Sequence, residues 1–323
     1  VGGQSNGLQT VSTKIPGKPA ASRVTYRWYA GLIQEERAGK AAQSPYLPSL
    51  DGSCPTEEKR VCSEGLGPVN LASFGDVMEH ATHGLFGALV IEPVKAQYWD
   101  PKKVSFSADG SIVLPSGQQE TEAGNYTGSH AIVTLEDGNY FREHVLFYQD
   151  GLNLHYKKVP IPDCIICDDS YDLGERGVSY RSAPFWARLG LEPPASGKPG
   201  DWVDLNTQTF PANFFQTSYQ PIPTPTLEAR PGERVKVHVL QPAGRARQRV
   251  FTVTGHDYAA MPPLPGFGSI GTVLMSPGKA ITADLQNTDS GKDGVTEGQW
   301  LYRDGPAYMF SNGVWGQLTV TNH

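Results

Sequence analysis

Apolar and polar positions alternate with a period of two along most of the chain, which is the signature of strands with one buried face. In ASRVTYRWYAG, around residues 20–31, Val24, Tyr26 and Trp28 alternate with Thr25, Arg27 and Tyr29. GLFGALVIEP, Gly84 to Pro93, is instead a short continuous apolar run closed by a proline, the pattern of a strand covered on both faces. Residues 94–129 are polar and turn-rich, with only SIVL apolar enough for a strand, and read as a linker. Further strands are predicted in SHAIVTLED, NYFREHVLFYQDG, ERVKVHVLQPA, RQRVFTVTGHDYA and KAITADLQN. The stretch GQWLYRDGPAYMFSNGVWGQLTV, Gly298 to Val320, predicts strand, tight turn and strand. Gly151 to Tyr219 is long, Pro-rich and irregular, an ordered excursion or interface rather than a domain.

The 323 residues suit one large or two ordinary domains. With 36 Gly, 26 Pro, 14 Tyr, 12 Phe and 6 Trp, the chain reads as short aromatic strands broken by turns, so the expected class is all-β. A net charge of −6, with no local cluster of Lys and Arg, argues against a nucleic-acid partner. No apolar run is long enough to predict membrane insertion. The first residues, VGGQSNGLQT, lack a charged start and an apolar core, so a processed chain is expected.

Four cysteines form two close pairs in loop-like segments, Cys54 with Cys62 and Cys164 with Cys167. Local disulfides of an exported protein are the favoured reading, and a redox or metal site stays open. CIICDD is no haem attachment, since Asp168 stands where the ligating His is needed. Asp163, Asp168 and Asp169 concentrate hard oxygen ligands near it, but their spacing matches no EF-hand loop. The sequon at Asn125 fits a surface loop. His80 and His83 are three apart and able to share a surface metal ion, although a solvated or structural role is the more ordinary one for two histidines. His144 is expected in a strand near a sheet edge with its hydrogen bonds satisfied. No Ser-His-Asp constellation, phosphate-binding Gly loop or carboxylate dyad stands out by spacing.

ASRVTYRWYA, HATHGLFGALVIEP with a following YWDP, FREHVLFYQDG, GVSYRSAPF, VHVLQPAGRARQRVFTVTGHDY and LYRDGPAYMFSNGVWGQLTV, taken in order, resemble consecutive cupredoxin domains of the large multicopper oxidases. The resemblance implies two cupredoxin-like Greek-key β-sandwich domains, over 1–128 (its opening strands missing, the linker included) and 129–323 (with the long irregular insertion). It also implies an extracytoplasmic setting and an ancestral role in passing electrons through copper to oxygen.

Members with working copper carry a His-Cys-His core in the last domain, and here that core aligns with Tyr302-Arg303-Asp304. The His-x-His-Gly-His segment becomes Thr252-Val253-Thr254-Gly255-His256, and an upstream His-x-His is replaced near Phe74-Gly75-Asp76. Copper needs soft sulfur and imidazole nitrogen, and a guanidinium has no lone pair to give. Thr252, Thr254, Tyr302, Arg303 and Asp304 are therefore expected to be degenerate ligand positions. Arg303 and Asp304 are expected to pair with each other, with Arg303 donating to a carboxylate or a backbone carbonyl. The expected function is that of a non-catalytic structural or interaction portion of a larger exported assembly, with a protein partner and no assigned cofactor. The alternative is a copper-dependent oxidase, carrying electrons from a reduced substrate or metal ion to oxygen, whose copper sits at an interface or in a missing portion.

Overall fold

The computed structural model describes residues 36–37, 40–41, 67–72, 80, 84–92, 96–108, 110–115, 129–149, 155–156, 159–160, 177–179, 226–242, 248–259, 268–287, 294–305 and 313–322. Strand dominates these residues. The longer strands are Gly67–Ala72 (β1), Phe86–Ile91 (β2), Gln97–Trp99 (β3), His130–Thr134 (β4), Tyr140–Gln149 (β5), Thr226–Ala229 (β6) and Val235–Leu240 (β7). They continue with Arg249–Val253 (β8), His256–Ala259 (β9), Thr272–Met275 (β10), Ala280–Asn287 (β11), Gly298–Asp304 (β12) and Trp315–Val320 (β13).

One large sheet runs in the order β6-β13-β12-β8-β9-β11-β7-β5-β4-β3, with β10 added beside β8. Most neighbours are antiparallel, but β7 lies parallel to β5, and β6 parallel to β13. Parallel pairs need long connections, and the chain between β5 and β6 is long. The two ends of this sheet share one core. Leu146, Val237 and Ala283 of β5, β7 and β11 meet Phe251, Tyr302 and Leu318 of β8, β12 and β13 in a single apolar cluster. The sheet thus folds over on itself as a β-sandwich, and the period-2 alternation explains why. In β7, Val235, Val237 and Val239 are all fully buried on the inner face, each worth about 1.5–3 kcal/mol of transfer free energy.

β1 and β2 form a separate two-stranded antiparallel sheet laid against the outer face of the large one. Phe86 of β2 packs on Phe147 of β5 with ring centroids 5.2 Å apart, and the Asn70 side-chain amide donates to the Gly278 carbonyl at 2.8 Å. At Gly67 φ is +73° and a Cβ would stand 2.5 Å from Thr282 Oγ1. Only glycine tolerates both conditions.

Two expectations need correction. The apolar run at Phe86–Ile91 is a strand, but within it only Ile91 is buried, and among the described residues β2 pairs with β1 alone. The segment read as a linker supplies β3, which pairs with β4. There Trp99 is buried and donates its indole N–H to Thr134 Oγ1 at 3.0 Å, so the aromatic position is worth more than its polar surroundings suggest. Most of the Gly151 to Tyr219 stretch, the ASRVTYRWYAG segment and all four cysteines lie outside the described residues.

Candidate functional site

Four of the five positions expected to be degenerate lie on one antiparallel strand pair, and the fifth, Thr254, just beyond it. β8 and β12 set Phe251 opposite Asp304, Thr252 opposite Arg303 and Val253 opposite Tyr302. Thr254 follows at the turn into β9, where its hydroxyl accepts the Leu301 N–H at 2.9 Å. Thr252 Oγ1 donates to the Gly271 carbonyl at 2.8 Å, and Tyr302 is buried in the core cluster.

Arg303 and Asp304 do not pair side chain to side chain. Consecutive residues of a strand point to opposite faces. Asp304 turns inward with Phe251, where Oδ1 accepts the Val250 N–H at 2.8 Å and Oδ2 faces Arg249 Nη1 at 3.3 Å. Burial lifts the Asp304 carboxyl above its usual range, with Arg249 and the Val250 N–H pulling the other way. Arg303 turns outward and donates Nη1–H to the Gly305 carbonyl at 2.7 Å, the backbone alternative foreseen for it.

His256, the one imidazole of the Thr252–His256 segment, is buried edge-on against Trp300 with centroids 5.1 Å apart. Its Nε2 accepts the backbone N–H of Thr296 at 3.3 Å, so its Nδ1 carries the proton and donates to the Thr254 carbonyl at 3.1 Å. Burial first of all holds this ring below the usual histidine range, against the opposing pull of the Thr254 carbonyl and Asp257. Both nitrogens are engaged within the protein.

His144 is in a strand with its hydrogen bonds satisfied, but the strand is interior rather than at an edge. β5 lies between β4 and β7. Nε2–H donates to the Glu228 carbonyl at 3.2 Å, which leaves Nδ1 to accept from His130 Nδ1–H at 2.8 Å. His80 is half-buried, and its carbonyl accepts the Leu85 N–H at 2.8 Å. His83 lies outside the described residues, as does Phe74-Gly75-Asp76.

A second constellation escaped the sequence. Glu92 follows the end of β2, Glu143 stands on β5, and His238 stands on β7. The parallel register sets Lys236 beside Glu143 and His238 beside Val145, so Glu143, Lys236 and His238 share the outer face of the large sheet. β1 and β2 cover that face and bring Glu92 over it. One ligand atom from each of Glu92, Glu143 and His238 lies within 4.8 Å of the other two, and all three residues are buried. His238 Nε2 is 3.5 Å from Glu92 Oε1 and 3.7 Å from Glu143 Oε1. Lys236 Nζ donates to the other Glu92 oxygen at 2.8 Å, and His238 Nδ1 meets Thr282 Oγ1 at 3.0 Å.

Environment separates the two carboxylates. Burial alone would push Glu92 up, but His238 and the Lys236 ammonium outweigh it and leave the group below its usual value. Burial and the charge of Glu92 raise Glu143, with His238 and Lys236 opposing. Two carboxylates and an imidazole form a donor set for one divalent cation. Period-2 reading of VKVHVL and FREHVLF assigns these polar residues to a water-facing side, and the cover comes from a strand pair far away in sequence.

No protein family and no curated protein matches the chain. Among solved structures it is similar to a blue copper oxidase from Nitrosomonas europaea, at 14% identity and a TM-score of 0.39, over 82% of this chain and 60% of that one. It is also similar to a copper nitrite reductase from Nitrosomonas europaea, at 15% identity and a TM-score of 0.37, over 83% of this chain and 68% of that one. A Cu-containing nitrite reductase from Thermus scotoductus SA-01 matches at 13% identity and a TM-score of 0.36, over 80% and 42% respectively. The chain therefore spans 60% of the length of the blue copper oxidase it matches. Among the described residues, no helix is long and apolar enough to cross a membrane.

Proposed function

We propose that the chain is a multicopper-oxidase-like protein of two cupredoxin-like domains whose copper-ligand positions have been given over to packing. In this reading it serves as a structural or interaction portion of a larger exported assembly, with a protein partner and with Cys54–Cys62 and Cys164–Cys167 as local disulfides. The observation that carries it is that Thr252, Tyr302, Arg303 and Asp304 stand on the paired strands β8 and β12, with Thr254 just past the end of β8. None of them offers sulfur or imidazole. Four of them hold protein groups instead: Thr252 the Gly271 carbonyl, Thr254 the Leu301 N–H, Arg303 the Gly305 carbonyl, and Asp304 both Val250 and Arg249.

The test is oxygen uptake. The purified chain, equilibrated with copper and given a reducing phenolic or ferrous substrate, is expected to consume no oxygen above the copper-salt background. Sustained uptake by the unmodified chain would refute the non-catalytic reading. Writing His-Cys-His into positions 302–304 is expected to leave uptake at background, because Thr252 and Thr254 still offer no imidazole from the paired strand and just past its end.

A further inference from the structure

The Glu92, Glu143 and His238 cluster lies away from the β8 and β12 pair, and the proposed function makes no use of it. Buried charges are ordinarily paired at close range, and charge-assisted hydrogen bonds run at about 2.7–2.9 Å. Lys236 obeys this rule with Glu92 Oε2, at 2.8 Å. The centre of the cluster does not. Among the described residues, Glu92 Oε1 and His238 Nε2, which face each other there, are buried without a hydrogen-bond partner, with side-chain exposures of 1% and 0%. The 3.5 and 3.7 Å separations from Nε2 to the two carboxylates are too long for the tight pair that an imidazolium between two carboxylates would form.

The 3.5 Å separation fits another occupant, and the 3.7 Å one is slightly wider than it needs. Ligand atoms about 2.1 Å from a zinc ion and spread by about 110–120° stand roughly 3.4–3.6 Å from one another. The surroundings hold the ligands in place. The tautomer that would ligate a metal, with Nδ1–H donating to Thr282 Oγ1 3.0 Å away, turns the Nε2 lone pair to the centre, the arrangement in which metal-binding histidines are held. Lys236 occupies Glu92 Oε2 and leaves Oε1 free to ligate.

We infer that Glu92, Glu143 and His238 bind one divalent cation of the zinc class between the β1 and β2 pair and the outer face of the large sheet. The donor set selects among ions. One nitrogen and two carboxylates provide too few oxygens for calcium, which takes six to eight, and lack the octahedral cage that magnesium demands. Without a thiolate they form no blue copper centre. Three protein ligands of nitrogen and oxygen are a set that zinc accepts, with its remaining position filled from outside the triad. The ion ties Glu92, at the end of β2, to β5 and β7, and so clamps the small sheet onto the large one.

The experiment uses the full chain stripped with chelator and dialysed against zinc alone. One zinc per chain is expected by elemental analysis, with an X-ray absorption first shell of nitrogen and oxygen, one imidazole and no sulfur. Glu143→Gln is expected to weaken zinc binding by at least about 10–100-fold, and Thr282→Val, which acts on the orientation of His238, by about tenfold. Replacing His80 and His83 together by Ala is expected to leave the stoichiometry unchanged. A folded chain that retains no zinc overturns the assignment. So does a first shell containing sulfur, which would place the ion at the cysteines, and so does a folded Glu143→Gln that binds as wild type. If Glu143→Gln fails to fold, the stoichiometry and first shell of the unmodified chain decide. Oxygen uptake does not enter this test, so the zinc site and the non-catalytic reading can fail separately.

Discussion

Asp304 and Arg249 form an ion pair at 3.3 Å inside the sandwich, with side-chain exposures of 0% and 1%. The pair joins two neighbouring strands from the core side, and the Val250 N–H completes the hold on Asp304. Removing the carboxylate takes a buried counter-charge from Arg249 in a medium that solvates the guanidinium poorly. Asp304→Ala is therefore expected to lower stability by about 3–5 kcal/mol. Arg303→Ala removes a hydrogen bond to a backbone carbonyl on the opposite face and is expected to cost about 1–3 kcal/mol. Urea denaturation of both variants beside wild type checks the order. Equal costs, or a larger one for Arg303, would count against the assignment of faces.

The buried imidazole of His256 makes stability depend on pH. Its folded value lies below the ordinary 6.5, first through burial, so between the two values the unfolded chain binds a proton that the folded chain does not. Stability from this group is fully present above pH 6.5 and is lost as pH falls from there towards the folded value. His256→Gln is expected to flatten that part of the curve while lowering stability at neutral pH. Denaturation midpoints collected from pH 8 to pH 5 provide the comparison. An unchanged slope in the variant would show that other groups set it.

Gly255 closes the turn between β8 and β9 with φ at +71°, and a Cβ there would stand 2.4 Å from the Trp300 ring. Backbone strain and overpacking act together at this position. Gly255→Ala is expected to destabilise by about 1–3 kcal/mol and to disturb Trp300 fluorescence. A variant with wild-type stability and fluorescence would mean that the turn relaxes freely.

Much of this fold is legible in the sequence and part of the chemistry is not, for a common reason. Alternation located β5, β7, β12 and β13 because each presents one apolar face to a core near at hand. It also implies that Arg303 and Asp304 face opposite ways, which rules out the side-chain pair expected between them. Period 2 tells which residues share a face but not what covers it. Glu143, Lys236 and His238 read as a solvated side, whereas β1 and β2 bury it from a distant part of the chain. Trp99 was hidden for the opposite reason, as a single anchoring aromatic in a three-residue strand too short to show a period.

The cysteines provide a check on the exported setting. Peptide mapping without reduction is expected to recover Cys54 linked to Cys62 and Cys164 linked to Cys167. Each closes a short loop, so reduction is expected to cost less than opening a long-loop bridge would. Free thiols at both Cys164 and Cys167 would favour a redox or metal role for that pair instead.

The central claim is that the strand pair carrying Thr252, Tyr302, Arg303 and Asp304, with Thr254 just beyond it, holds no copper. The most direct measurement is visible absorbance of the purified full chain after equilibration with copper and removal of the excess, with copper counted by elemental analysis. The predicted result is no thiolate-to-copper band and no set of several tightly held ions per chain, whatever a single nitrogen and oxygen site elsewhere retains. An intense blue band with stoichiometric copper would contradict it.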